Sequence, residues 1–129
     1  MHYVIFSIDN VSDLHTKAKF LRHIDTQNAL GYLKGNMVLC IGCYKGILED
    51  SFLLRSDDFD KWVRNSGYVN GQESVLHVRG KDMHCEFEFL QGGCDSVGRL
   101  VQVTAQEAFK SDGWTYRPDL NIYWIIKEN

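Results

Sequence analysis

Residues 37–55 read MVLCIGCYKGILEDSFLLR, and this stretch predicts a long apolar strand followed by its hairpin partner. The first strand covers residues 37–46 and the second covers residues 49–55. Successive side chains of a strand point to opposite faces. Apolar residues occupy both faces of the first strand, with Met37, Leu39, Ile41 and Cys43 on one and Val38, Cys40 and Tyr44 on the other. Both faces of this strand are therefore expected to be buried.

The elements around this hairpin follow the order β-α-β-β-α-β, which is typical of a ferredoxin-like α+β fold. We expect one antiparallel sheet with helices on one face, in a single domain over residues 1–129. Residues from about 104 to 129 are predicted to form a C-terminal extension, opened by a capping box at Thr104 and Glu107. Because the helices cover only one face of the sheet, the other needs the extension or another subunit. The sequence therefore predicts an oligomer in which sheet surfaces meet.

The composition excludes several classes of protein. A chain of 129 residues is long enough for one domain with one core. Its 14 Lys and Arg residues against 17 Asp and Glu residues leave no basic excess for a phosphate backbone, so we expect no nucleic-acid partner. No apolar run approaches the roughly 20 residues of a membrane-spanning helix. The apolar stretch at the N-terminus is too short for a signal peptide, and an acidic residue follows it too closely. We expect a cytoplasmic protein that does not associate with a membrane.

The four cysteines suggest a metal-binding site, but strand geometry disfavours one. Cys40-x-x-Cys43 has the spacing of a zinc half-site, and Cys85 and Cys94 follow later in the chain. Residues three apart in a strand face opposite sides, so that Cys40 and Cys43 cannot bind one ion without a turn between them. Buried free cysteines are common in protein cores. The sequence therefore predicts core thiols, without a metal or another cofactor.

The end of the first strand carries a candidate site. Gly42 and Gly46 bracket Tyr44, which lets the backbone and a phenol approach a ligand closely, and Glu49 opens the next strand. Across a tight connection, Tyr44 and Glu49 are expected to lie near each other, with Glu49 partly desolvated. A carboxylate and a phenol that converge make a candidate site. The alternative is an ordinary turn with a surface glutamate, which the local sequence by itself favours.

The order of these motifs resembles the small bacteriophage S-adenosylmethionine lyases, long called S-adenosylmethionine hydrolases. The resemblance covers about the first hundred residues, and Gly42-Cys43-Tyr44-Lys45 with the downstream Glu49 is its most specific part. It implies a homotrimer of ferredoxin-like subunits with S-adenosylmethionine held between them, and no metal or cofactor. By position, Tyr44 and Glu49 match the active-site tyrosine and the essential glutamate. The connection between them is shorter than in the family, so Asp50 is the alternative carboxylate.

The reaction that the resemblance implies is an intramolecular displacement giving methylthioadenosine and L-homoserine lactone. Glu49 is expected to hold the ammonium or sulfonium end of the substrate, and Tyr44 to orient its carboxylate. Backbone groups near Gly42 and Cys43 are expected to contact the nucleoside. The biological role would be the depletion of the methyl donor of host restriction and modification systems, in the host cytoplasm.

The sequence is also compatible with two other functions. The first is a phage-type inhibitor that occludes a host protein through an exposed patch, such as residues 57–60 or residues 114–116. The second is a ferredoxin-like sensor that binds a nucleotide or an amino acid unchanged. A protein partner would identify the inhibitor, and saturable binding without turnover would identify the sensor.

Overall fold

The computed structural model describes residues 2–7, 14–64 and 74–128. Eight strands and three helices follow one another in these ranges. In chain order they are β1 (His2–Ser7), α1 (Leu14–Ala29), β2 (Val38–Tyr44), β3 (Ile47–Arg55), α2 (Ser56–Trp62), β4 (Ser74–Arg79), β5 (His84–Phe89), β6 (Cys94–Val103), α3 (Ala105–Phe109), β7 (Gly113–Arg117) and β8 (Ile122–Lys127). In the described part of the chain, no helix combines the length and the apolar character needed to cross a membrane.

The strands form a closed antiparallel barrel in the order β1-β3-β2-β7-β8-β6-β5-β4, and β4 pairs back onto β1. The predicted ferredoxin-like sheet with helices on one face is therefore wrong. A ferredoxin-like sheet has four strands, whereas the residues predicted as a C-terminal extension supply β7 and β8. These two strands pair with each other and fill the gap between β2 and β6.

The prediction that sheet surfaces meet between subunits is corrected by the same closure. The apolar inner face of the sheet is buried within the barrel of one chain, where Ile5, Cys40, Leu53, Leu100 and Trp124 belong to one core cluster. Of the two apolar faces of β2, one supplies Cys40 to this interior. The other lies on the outer wall, where Leu39 remains 48% exposed. The interior of the barrel buries one apolar face of the sheet, so that no second subunit is needed to cover it.

A second apolar core lies outside the barrel, where α1 and α2 cover the wall formed by β1, β3 and β4. Phe20 and Ile24, four residues apart on α1, present one stripe to this wall. Phe59 and Val63 contribute from α2 and the residue that follows it. The predicted capping box of α3 is confirmed, since the Thr104 hydroxyl accepts from the Glu107 amide at 3.2 Å and the Glu107 carboxylate faces the Thr104 amide.

Gly98 permits the closure between β6 and β8. It lies where the pairing of β5 with β6 shifts register, and its φ is 133°. A Cβ atom at this position would overlap the main-chain carbonyl of Lys127 on β8. Only glycine fits both the backbone angle and the close approach.

A chain of polar side chains fastens the end of α2 to the barrel wall. Arg64 donates to both carboxylate oxygens of Glu88, at 2.6 and 2.9 Å, and to Asp60 at 2.9 Å. Nε2 of the buried His77 lies 2.7 Å from the Glu88 carboxylate, and its Nδ1 lies 2.7 Å from Nε2 of His2. The hydrogen bond from Arg64, followed by that from His77, lowers the pKa of Glu88 from 4.5 to about 2, against the opposing effect of burial. The ionised carboxylate therefore stabilises the fold above pH 4.5, and this contribution is lost as the pH falls through 2.

We predict that Glu88→Gln lowers the free energy of unfolding at pH 7 by about 2 kcal/mol, because it disrupts the bidentate, charged hydrogen-bonded pair with Arg64. The stability of the variant should also fall less steeply than that of the wild type between pH 4.5 and pH 2. Urea denaturation followed by circular dichroism measures both quantities. Glu86→Gln is the matched control, since Glu86 lies on the same strand with Arg79 3.7 Å away. Parallel pH profiles for the wild type and Glu88→Gln would contradict this account.

Candidate functional site

One end of the barrel opens into a cavity of about 770 Å³. This volume lies within the range of about 300–1,000 Å³ that is usual for small-molecule sites. An eight-stranded barrel is just wide enough to hold one small ligand. Among the described residues that line the cavity, the charged ones are all acidic, namely Glu49, Asp112 and Glu128. The cavity is therefore suited to a ligand that carries positive charge.

The β2–β3 hairpin forms one side of the cavity. Lys45 and Gly46 connect its strands with φ values of 51° and 81°, the two positive angles of a tight two-residue turn. The Lys45 amide donates to the main-chain oxygen of Asp112 at 2.8 Å, which ties the turn to the segment before β7. Tyr44 immediately precedes this turn, borders the cavity and is 63% exposed. The turn therefore fixes the phenol at the open end of the barrel.

The hairpin register brings the predicted site residues together on one face. Gly42 lies directly opposite Glu49, and Tyr44 lies opposite Ile47, so that Tyr44 and Glu49 are diagonal neighbours. Such neighbours have Cα atoms roughly 7–8 Å apart. Both line the cavity. Glu49 is exposed, whereas the sequence predicted a partly desolvated carboxylate. The reason is its place near the open end of the barrel, three residues after Gly46 of the turn.

Gly42 leaves a notch beside Glu49. A Cβ atom at Gly42 would lie 3.3 Å from the Ser51 hydroxyl and 3.7 Å from Cγ of Glu49. The missing side chain thus opens the wall next to the carboxylate. Cys43, the next residue, also borders the cavity, although the alternation of β2 directs its side chain to the outer face opposite Leu48. Cys43 can therefore offer a ligand its backbone rather than its thiol.

Asp50, the alternative carboxylate, follows Glu49 and belongs to the opposite face of β3. It pairs with Ile41, which alternates with Gly42, and it is absent from the described lining of the cavity. Its main-chain oxygen accepts a hydrogen bond from the buried Ser7 hydroxyl at 3.0 Å. Of the two neighbouring acids, Glu49 is the one in contact with the cavity.

The prediction of core thiols holds for Cys40 and Cys85 and is wrong for Cys94, which is exposed. Cys40 is fully buried inside the barrel, and Cys43 is half-buried on the other face of the same strand. Burial raises the pKa of Cys40 to about 11, and it raises that of the buried Cys85 to about 11 as well. Both thiols are therefore neutral at pH 7. Within residues 2–7, 14–64 and 74–128, no three His, Cys, Asp or Glu side chains are grouped as metal ligands.

The two patches that were considered as binding surfaces for a protein partner have structural roles in the fold. Asp58 is buried and accepts hydrogen bonds from the Lys34 and Gly35 amides, at 2.9 to 3.2 Å. Asp57 pairs with Lys34 at 2.8 Å, and this interaction lowers the pKa of Asp57. Residues 114–116 belong to β7 of the barrel. The acidic group therefore anchors the loop before β2 to α2.

Most of the residues that line the cavity were not predicted from the sequence as site residues. Thr115 on β7 and Trp124 on β8 both line the cavity. Each is an inward residue of a strand that was predicted as part of an extension. The alternation of Trp114, Thr115 and Tyr116, followed by the turn residues Pro118 and Asp119, is a hairpin signal that was available in the sequence.

An eight-stranded barrel with an open acidic cavity is an architecture suited to binding a small cationic molecule. A family model described as the S-Adenosylmethionine lyase family matches residues 11–127. This chain belongs to that family, and the resemblance seen in its sequence is confirmed. It is an enzyme, an S-adenosylmethionine lyase, and S-adenosylmethionine is its substrate. A search of curated proteins finds no match to the chain.

We predict that Gly42→Ala lowers kcat/KM for S-adenosylmethionine by about 10- to 100-fold, because the added methyl group fills the notch beside Glu49 and displaces the bound substrate. The fold should persist, since the new contact with Ser51 is tight but not overlapping. Ile41→Val is the control, a similar small change at the adjacent residue on the outer face. Steady-state kinetics with a thermal melt of each variant provides the measurement. Full activity in Gly42→Ala would contradict the notch as a binding surface.

Proposed function

We propose that this enzyme cleaves S-adenosylmethionine into methylthioadenosine and L-homoserine lactone. The carboxylate of the substrate attacks its own γ-carbon, forming a C–O bond as the C–S bond breaks. The sulfur keeps the electron pair of the broken bond and leaves as a neutral thioether. The step needs neither a proton nor a cofactor, so the protein contributes by holding the methionine chain in the attack conformation and excluding water.

The observation that carries this proposal is the acidic lining of the cavity. S-adenosylmethionine carries positive charge at its sulfonium and at its ammonium group, and Glu49, Asp112 and Glu128 border the space that would receive it. A cleft lined by charges of one sign raises the local concentration of a ligand of the opposite sign. The charge of the cavity matches the charge of the substrate.

Two side chains are assigned roles in the displacement. Glu49 holds the ammonium or sulfonium end of the substrate by charge. Tyr44 donates a hydrogen bond that orients the reacting carboxylate. Backbone groups of Gly42 and Cys43 border the same space and contact the nucleoside. The shared face of Tyr44 and Glu49 on one hairpin supports this division of roles.

Glu49→Gln should lower kcat/KM for S-adenosylmethionine by about 100-fold or more, because the amide keeps the shape of the carboxylate and loses its charge. Asp50→Asn is the matched control: the same chemical change at the next residue, on the other face of β3. Mass spectrometry of the reaction mixture identifies the products. Methylthioadenosine with homoserine lactone from the wild type and Asp50→Asn, and little from Glu49→Gln, is the expected result. Loss of activity in Asp50→Asn with full activity in Glu49→Gln would overturn the assignment of the carboxylate.

We also propose that the enzyme works as a homotrimer in which a neighbouring copy closes the mouth of the cavity. Three large side chains around the hairpin turn are exposed, with Tyr44 at 63%, Ile47 at 71% and Leu48 at 62%. An apolar group of this size beside an open site is typical of a surface that another chain covers. Contact at this hairpin would bring each active site against a second subunit.

Ile47→Glu should convert the assembly to monomers and lower activity, because a charge at the contact is costly to bury. Leu120→Glu is the matched control, since Leu120 is 55% exposed in the turn between β7 and β8. Size-exclusion chromatography with light scattering gives the mass of each variant. A wild-type protein that is monomeric and fully active would refute the proposed assembly.

The resemblance to the bacteriophage enzymes supports a biological role. Removal of S-adenosylmethionine in the host cytoplasm would deprive host restriction and modification systems of their methyl donor. We propose this anti-restriction role for the enzyme.

A further inference from the structure

Polar side chains are more frequent on one side of the cavity than on the other, although Ile5 and Leu76 also line the more polar side. The polar lining side chains on β1, β3 and β4 are Ser7, Glu49, Ser51 and Ser74. The lining side chains on β5, β6 and β8 include Phe87, Val97, Leu100 and Trp124. A ligand with one charged half and one flat, largely apolar half would match both sides at once.

A single row of paired residues connects the two sides. Glu49 pairs with Gly42, Gly42 with Thr115, and Thr115 with Trp124, so that the row crosses four adjacent strands. All four residues line the cavity. Three strand spacings of about 4.8 Å separate the ends of the row, or about 14 Å measured along the wall. A nucleoside joined to an amino-acid chain can span this distance.

The row also descends into the barrel. Barrel strands are tilted by about 35–45° to the barrel axis, so a row perpendicular to the strands changes depth as it crosses them. Glu49 at one end is exposed, and Trp124 at the other is only 7% exposed. The charged end of the row is therefore solvated, and the aromatic end is enclosed.

Trp124 is better suited to a neutral ring than to a cation. The Arg117 guanidinium lies 5.5 Å from the centroid of the Trp124 ring, and Asp119 pairs with this guanidinium at 2.6 Å. The cation–π interaction of this indole is thus already made within the protein. A second cation would be placed near a like charge, whereas a purine can stack on the ring without that cost.

We infer that Thr115 and Trp124 form the nucleoside-binding wall of the cavity. The purine stacks on Trp124 at the enclosed end of the row, and the Thr115 hydroxyl hydrogen-bonds the nucleoside. The notch at Gly42 accommodates the bend between the two halves of the substrate. The methionine half then extends to Glu49 at the open end. This inference rests on the proposed function for the identity of the ligand, and it names which half of the ligand each side of the cavity binds.

The test uses the two halves of the substrate separately. Methylthioadenosine carries the nucleoside without the charged chain, and S-methyl-L-methionine carries the sulfonium amino acid without the nucleoside. Isothermal titration calorimetry with the full-length protein measures the dissociation constant of each. Thr115→Val keeps the shape of the side chain and removes one hydroxyl, so it should weaken methylthioadenosine binding by about 3- to 10-fold. The affinity for S-methyl-L-methionine should stay within twofold of the wild type.

Tyr116→Phe is the matched control. It removes one hydroxyl from the next residue of the same strand, where the Tyr116 hydroxyl donates to Asn121 at 2.9 Å on the outer surface. Trp124→Phe gives a second, independent variant, which should weaken methylthioadenosine binding through loss of stacking area while it keeps an aromatic ring in the core. A variant that lost only fold stability would weaken both ligands alike, and this result would overturn the inference.

Wild-type affinity for methylthioadenosine in both Thr115→Val and Trp124→Phe would also overturn it, and so would a wild-type protein that does not bind methylthioadenosine. Turnover of S-adenosylmethionine is measured on the same preparation, so that the lyase reaction and the nucleoside-binding wall are tested separately. Turnover with unchanged nucleoside binding in the variants refutes only the nucleoside wall. Weakened nucleoside binding in the variants of a protein without turnover refutes only the lyase reaction and upholds the wall.

Discussion

The cavity depends on one set of backbone pairings, those of the β7–β8 hairpin with β2 on one side and β6 on the other. Without these two strands the sheet would stay open between β2 and β6, and the inner face of β2 would face water. With them the sheet closes, and a ring of eight strands encloses both a core and a space for one small ligand. Gly98 contributes to the same closure, because only a residue without a side chain allows β6 to approach the carbonyl of Lys127.

Local patterns in the sequence predict the strands better than they predict how the strands pair. The β2–β3 hairpin and the Thr104 capping box both follow from periodicity and turn chemistry. The ferredoxin-like fold was wrong because residues 113–117 were interpreted as an extension rather than as a strand. One missed strand changes the partner of β2, and with that partner the sheet changes from open to closed. The expectation that both faces of β2 are buried holds for one face only, since Cys40 lies in the barrel interior whereas Leu39 on the other face is 48% exposed. The interior of the barrel buries the first face without a subunit interface.

The residues of the candidate site also fall into two groups, those that the sequence could predict and those that it could not. Tyr44, Gly42 and Glu49 lie within eight residues of one another, so the hairpin register brings them to one face, and sequence reasoning could select them. Thr115 meets Gly42 only through the pairing of β2 with β7, across more than seventy residues of chain. No local pattern specifies such a pairing. The acidic character of the cavity likewise arises from three residues that are distant in sequence, Glu49, Asp112 and Glu128.

We place the substrate inside the barrel of one chain, with its methionine half at Glu49. A crystal structure of the wild-type protein with an uncleavable analogue of S-adenosylmethionine, in which an amine-bearing carbon replaces the sulfonium, tests this most directly, because the charge at Glu49 is kept and the ligand has no leaving group. We expect electron density for the ligand along the row from Glu49 through Gly42 to Trp124, with the purine at the enclosed end. Substrate bound on the outer wall of the barrel, or with its purine at the open end, would contradict it.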